Sequence, residues 1–306
     1  MNNLFLIIFL LPIILHSGVS DWQLFSEKKE FKHIKFLDAK VLHYYKIGDE
    51  KFFGISALEY DKKTKTLYML NDRSRLFRFR LQIEDKKIKK LKPISSCRLK
   101  NSKGKYFFRW QSDSEGISKR GKFLYVSYEG RYPQIRKFDQ NCKQVGRAYL
   151  AKRLQDYRNY KSKNKSLESL EYVKGYGLLT SPEYSLKKQK DGYHDIYNYK
   201  GKVCSFKNSD DKLALVDFEY DDKGSLIALF RKLDFASLGF IISIKKIRLS
   251  KGVCNVTDLA TLKSSQGDAI DNFEGITKVG KNLYLIVSDD NDNFFENTLL
   301  VLFEVL

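Results

Sequence analysis

Nine carboxylates and two arginines stand at recurring places in this chain, and they are the residues best suited to chemistry. The carboxylates are Asp72, Glu115, Glu129, Glu168, Glu183, Asp217, Glu274, Asp289 and Asp290; the arginines are Arg73 and Arg231. They open or close copies of one phrase. Residues 115–129 read EGISKRGKFLYVSYE and residues 274–290 read EGITKVGKNLYLIVSDD. Weaker copies are ISALEYDKKTKTLYMLND at 55–72, LESLEYVKGYGLLTSPE at 167–183 and LVDFEYDDKGSLIALFR at 215–231. Carboxylates brought together repel and raise one another's pKa unless a cation joins them. A hard cation such as Ca²⁺ suits that need, taking about six to eight oxygen ligands. Arg73 and Arg231 are alternative counter-charges, and arginine also binds phosphate through paired hydrogen bonds. The pattern predicts a metal held by Glu115, Glu274, Asp289 and Asp290. Glu115, Glu274 and Arg231 are then the catalytic candidates, a carboxylate activating water while metal and arginine hold the ester. Asp72, Arg73, Glu129, Glu168, Glu183 and Asp217 are the ligand-binding candidates. The competing reading is structural: the same acids bond backbone amides and lock one repeat to the next.

Other chemistries find little support. No G-x-S-x-G elbow is present for a serine hydrolase. Beyond the N-terminal segment the histidines are His33, His43 and His194, none within a repeat. His194 lies in the polar stretch SLKKQKDGYHD at 185–195, expected to be an exposed loop with a solvated imidazole. The SDDNDN run at 288–293 is rich in oxygen ligands but lacks the glycine and closing glutamate of an EF-hand loop. Tyr128, Tyr184, Phe294 and Phe295, near motif ends, are candidates to face a ligand, although packing explains most aromatics of this chain.

The elements that must position the acids are strands. Each copy is an apolar stretch, a short Gly/Lys/Asp turn and a second apolar stretch, and copies start roughly 50–60 residues apart. That period, carried by strands, marks the blades of a β-propeller. The expected fold is all-β, a propeller of five to six blades of four-stranded antiparallel sheets. Residues 31–47 (FKHIKFLDAKVLHYYKI) are the material for a sixth blade. LYMLN, LYVSYE and LYLIVSD are nearly continuous in apolar residues, as strands covered on both faces should be, whereas RFRL and SIKKIRL alternate apolar with basic like half-exposed outer strands. Residues 147–166 break the pattern and read as a loop or short helix between blades, a candidate lid.

Composition sets the surroundings. The chain has 306 residues. The apolar run from Leu4 to Leu15 is too short to span a bilayer and is followed by small residues, so 1–20 reads as an export signal ahead of a single domain at 21–306. Periplasmic or secreted placement follows. The net charge is +19, read as a solvated lysine-rich surface with a functional basic face as the alternative. No nucleic-acid-binding motif is recognisable. Cys97, Cys142, Cys204 and Cys254 form no CxxC pair; either they pair as sequence neighbours or they stay buried thiols.

The segments DNFEGITKVGKNLYLIVSDDNDNFFENTLLVLFEV at 271–305, VDFEYDDKGSLIALFRKLDFASLGFIISIKKI at 216–247 and DSEGISKRGKFLYVSYEGRYPQIRKFD at 113–139 resemble the phytase-like family, also described as "esterase-like activity of phytase". The chain departs from that pattern at Phe230, where the family has Glu before Arg231, at Ser169, where it has Gly, and at Asn71-Asp72-Arg73, where it has SDD. The resemblance implies a β-propeller in a periplasmic or extracellular setting with phosphoesterase or esterase activity. The combined expectation is a monomeric, exported, metal-assisted hydrolase with Ca²⁺ as cofactor and a small anionic or ester substrate. It has no nucleic-acid partner and no membrane segment after signal removal. The alternative is a non-catalytic propeller that binds a small ligand, a glycan or a protein.

Overall fold

Twenty-one residues, 1–17, 28, 163 and 294–295, lie outside those described by the computed structural model, which covers 18–27, 29–162, 164–293 and 296–306. Most of the expected export signal and two of the candidate aromatics, Phe294 and Phe295, fall on the residues not described.

Five antiparallel sheets form the blades, each beginning with a copy of the repeat. Blade 1 contains Ile55–Asp61, Thr66–Asn71, Arg75–Glu84 and Lys87–Arg98, ordered outward from the axis. Blade 2 contains Ser114–Arg120, Phe123–Tyr128, Gln134–Phe138 and Gln144–Ala148. Blade 3 contains Leu167–Val173, Gly177–Pro182, Tyr193–Asn198 and Gly201–Lys207, with Gly252–Val253 added in parallel at its edge. Blade 4 contains Ala214–Tyr220, Ser225–Asp234, Gly239–Arg248 and Asn255–Lys263. Blade 5 contains Asn272–Gly280, Leu283–Asp289 and Leu299–Val305, and is completed by Ile34–His43 and Gly18–Asp21. Residues 31–47 therefore do not build a sixth blade. Ile34–His43 joins the C-terminal strands and closes the ring, which satisfies the edge of Leu299–Val305.

The first strand of each blade lies against the first strands of its neighbours, blade 5 meeting blade 1, so five strands surround a central channel. The continuously apolar runs occupy the second strands. Every residue of Thr66–Asn71 is buried because blades cover both its faces. In RFRL, within Arg75–Glu84, the expected alternation is present, Phe79 and Leu81 being buried and Arg80 exposed. In SIKKIRL it is broken, because Lys245 is buried at 2% exposure against the Phe230 ring. Five apolar clusters fill the five gaps between adjacent blades. Disulfides Cys97–Cys142 and Cys204–Cys254 tie the outer regions of blades 1 and 2 and of blades 3 and 4.

Residues 152–154 and 157–159 form short 3₁₀ turns between blades 2 and 3, with Leu154 and Tyr160 buried. The expectation for His194 is overturned. The strand begins at Tyr193, and its four central residues, His194 to Tyr197, are all buried; His194 is 2% exposed and stacked on Phe206 at 5.5 Å. Burial there pushes the imidazole down to about 4. Among the described residues no helix is long and apolar enough to cross a membrane.

Candidate functional site

A β-bulge in the first strand of every blade builds the site. Registers slip at Ile55/Ala57, at the pairing of Ser114 and Ile117 with Tyr128 and Val126, and at Leu167/Ser169, Leu215/Asp217 and Phe273/Gly275. A bulge leaves one residue unpaired and re-aims its side chain. The residues at these bulges are Ser56, Glu115, Glu168, Val216 and Glu274, so three of five places carry glutamate. The second strands end at the same mouth. The matching residues there are Asp72, Glu129, Glu183, Arg231 and Asp289: four acids and one arginine. The glycine after the bulged glutamate has a steric reason. A Cβ on Gly116 would lie 2.6 Å from the Glu168 carbonyl oxygen, and one on Gly275 would lie 2.9 Å from the Leu58 amide nitrogen. Neighbouring first strands approach so closely there that only hydrogen fits.

Carboxylate oxygens of Asp113, Glu115 and Glu129 all lie within 4.8 Å of one another. The sequence reading omitted Asp113, which immediately precedes the blade 2 strand. Across the mouth, Arg231 reaches Glu274 Oε1 at 2.8 Å, and Asn272 donates to the same oxygen at 2.9 Å. Lys165, also missed, lies 3.7 Å from Glu183 and 4.4 Å from the ring of Tyr184. Arg73 is 3.4 Å from Asp72.

The electrostatics follow from crowding. Burial, opposed by Arg73, pushes Asp72 up to about 6. Burial also takes Glu129 to about 8 against the Ser166 amide bond, with Glu183 and Asp113 adding to the rise. Burial and then Glu274 carry Asp289 to about 9. Glu115 and Glu168 are raised well above the usual range by burial and then by Glu129. Burial disfavours charge on Arg231, but Glu274, Glu183 and Glu168 outweigh it and hold the guanidinium firmly protonated.

Some predicted residues have their oxygens committed elsewhere. Asp217 accepts the amides of Phe218 and Ile276, each at 2.9 Å, linking blade 4 to blade 5. Asp290 accepts the Gly54 amide at 2.7 Å and the Thr298 hydroxyl at 2.9 Å. Glu129 accepts the Ser166 amide, joining blade 2 to the start of blade 3. Phe230 is fully buried against His194 and Phe206. Tyr128 is core, and Tyr184 is half-buried.

Further along the channel is a second acidic level that the sequence reading passed over. Glu59, Glu171 and Glu219 occupy one register position on three first strands, and Ser118 and Thr277 fill it on the others. Ser118 donates to Glu171 at 3.0 Å. Burial pushes Glu171 up to about 7, and burial followed by Glu171 raises Glu59 and Glu219 well above their ordinary value. The signal was the triplet Leu-Glu-Tyr at 58–60 and 170–172 and Phe-Glu-Tyr at 218–220.

No curated protein matches the chain by sequence. Solved structures that align with the chain include a chain of a mitotic checkpoint complex, at TM-score 0.39 and 9% identity, covering 82% of this chain and 61% of that one. PQQ-bound aldose sugar dehydrogenase from Streptomyces coelicolor aligns at TM-score 0.40 and 9% identity, over 88% and 98% of the two chains. U3-55K aligns at 0.42 and 7%, over 88% and 98%. A family model described as "Phytase-like: Esterase-like activity of phytase" matches residues 50–292, which take in all five copies of the repeat and the acidic mouth they build. The protein belongs to the phytase-like family.

Proposed function

We propose that the acidic mouth is the centre of an exported, metal-assisted hydrolase acting on a phosphoric or carboxylic ester. The observation that carries this reading is the approach of Asp113, Glu115 and Glu129 to within 4.8 Å of one another. Three hard oxygen donors at that spacing fit a divalent cation such as Ca²⁺. The buried Asp72 Oδ1, which lacks a hydrogen-bond partner among the described residues, fits a cationic or protic neighbour as well. Asp113, Glu115 and Glu129 would hold the ion, and Glu274 and Asp289 lie in the same charged mouth. A bound cation supplies charge neutralisation and polarises an ester oxygen.

The chain's own groups account for the rest. Arg231, held by Glu274, keeps an Nε–H with no acceptor among the described residues, a free donor for an oxyanion. Asp72, at about 6, is ionised at neutral pH and suited to take a proton from the attacking water. The two disulfides support placement in an oxidising compartment, periplasmic or extracellular. A monomer with a small anionic or ester substrate, and no nucleic-acid partner, completes the reading.

A second reading rests on the backbone bonds of Asp217, Asp290 and Glu129, which lock blades as structural acids do. It makes the protein a non-catalytic propeller that binds a small ligand, glycan or protein. Thermal unfolding of the purified chain in EDTA and then in Ca²⁺, alongside chromogenic phosphate and carboxylate esters, separates the two. Ca²⁺-dependent turnover that Glu115→Gln abolishes supports the hydrolase. A Ca²⁺ shift in the midpoint without turnover favours the binding scaffold, and neither effect leaves the acids as blade locks.

A further inference from the structure

The outer part of blade 2 carries two arginines where sheet energetics disfavour them. Arg136 and Arg147 are direct cross-strand partners on Gln134–Phe138 and Gln144–Ala148. Like charges directly opposite one another destabilise a sheet. Arg136 is only 3% exposed, its guanidinium lying 3.8 Å from the ring of Tyr128 and 4.1 Å from that of Phe107. It donates to the Gln111 carbonyl at 2.9 Å, and among the described residues no carboxylate pairs with it or with Arg147. Burial, with a smaller contribution from Arg147, pushes its pKa down, so the protein meets a cost for charge at this position.

Both arginines line one cavity of about 510 Å³, together with Lys103, Gln134, Trp110 and Tyr132. Gln134 Oε1 is buried without a partner among the described residues, leaving an acceptor for a hydroxyl. Trp110 and Tyr132 are 61% and 59% exposed, open surfaces on which the body of a ligand can lie. From these observations we infer that this cavity is a binding site for a hydroxylated oxyanion. The ligand's phosphate, sulfate or carboxylate neutralises the Arg136–Arg147 pair, and its hydroxyl donates to Gln134. The paired guanidinium donors match a planar or tetrahedral oxyanion. Glu129 of the carboxylate triad also lines this cavity, so the site adjoins the acidic mouth; the contacts proposed for the anion come from the arginines and Gln134 and need no metal.

The test is calorimetric titration of the full chain with inorganic phosphate, sulfate and gluconate. It is run in EDTA at ionic strength held constant with chloride, with Trp110 emission followed in parallel. Saturable binding of at least one probe is expected, and the probe that binds names the oxyanion class. Arg147→Ala, at an exposed position, is expected to weaken binding about tenfold by removing a charge-assisted contact. Lys187→Ala, on the blade 3 side of the molecule, should leave it unchanged. The inference is overturned if no probe exceeds chloride, if Arg147→Ala binds as the wild type does, or if binding needs added Ca²⁺, which would place the anion at the mouth.

Discussion

The raised carboxyls of the mouth make the stability of the metal-free protein depend on pH in an unusual direction. In the unfolded chain Glu129 and Asp289 ionise near pH 4, as free carboxyls do. In the fold they keep their protons to about 8 and about 9. Between those limits the folded state binds more protons than the unfolded state, so stability falls as pH rises. Each such carboxyl contributes about 1.4 kcal/mol per pH unit, and the two together about 2.7 kcal/mol per unit between about pH 6 and about pH 8. Glu129→Gln removes one titrating group and keeps an acceptor for the Ser166 amide. It is expected to lower the slope by about 1.4 kcal/mol per unit. The assay is guanidinium denaturation at several pH values in EDTA. Calcium should offset the loss, because a cation competes with the protons and gains affinity as pH rises; at a hundredfold excess over its dissociation constant it adds about 2.7 kcal/mol. Stability that is flat or rises with pH in EDTA refutes the reasoning, as does an unchanged slope in Glu129→Gln.

Three further outcomes are expected. Gly116→Ala and Gly275→Ala each place a methyl against backbone at 2.6 to 3.0 Å, and should cost about 1–3 kcal/mol by overpacking, read as a fall in the denaturation midpoint. Reducing both disulfides, which close spans of 45 and 50 residues, should cost up to about 4 kcal/mol each on the chain-entropy account, measured with and without dithiothreitol. Arg231→Met leaves Glu274 without its 2.8 Å partner; its pKa should rise further, and turnover of a phosphate ester, if the mouth hydrolyses one, should fall at least tenfold, roughly the loss of a charge-assisted bond.

The sequence made the blades legible because the strand–turn–strand period repeats five times with little drift, and each apolar second strand is covered on both faces. Ile34–His43 carried no such signal. It is an outer strand donated to the last blade, and its partner lies at the far end of the chain, beyond the reach of local pattern. Asp113 stands just before the strand it serves, and only the geometry of blade 2 brings it to Glu115 and Glu129. Glu59, Glu171 and Glu219 were hidden because each interrupts an apolar run by a single residue, which a search for hydrophobic stretches reads through. His194 was misjudged from its neighbours: the lysines of 185–190 set the average, while the strand beginning at Tyr193 sets the side chain's direction.

The mouth is not five-fold in its chemistry, although the repeat that builds it is. Blades 1 and 4 place Ser56 and Val216 where the others place glutamate, and blade 4 ends its second strand in Arg231 rather than an acid. Among the described residues the close carboxylate triad therefore belongs to blade 2 alone, while the guanidinium is anchored on blade 4 and paired to blade 5. Asp217 and Asp290 are spent on backbone amides and stiffen the ring between those poles. A symmetric acid ring would bind a cation on the axis and offer nothing to orient a substrate. This arrangement sets a cation-attracting side against an anion-attracting one across a single opening. An ester presented there, with its oxyanion toward Arg231 and its leaving oxygen toward the triad, would have one favoured orientation. Removing the arginine should therefore change ester selectivity more than metal affinity. Val216 is buried in the apolar cluster between blades 4 and 5 and has no room for a guanidinium, so Arg231→Leu alone tests this: Ca²⁺ affinity should stay within a few-fold, while the preference between phosphate and carboxylate esters shifts. A parallel loss of both would mean that Arg231 serves the ring's stability rather than its polarity.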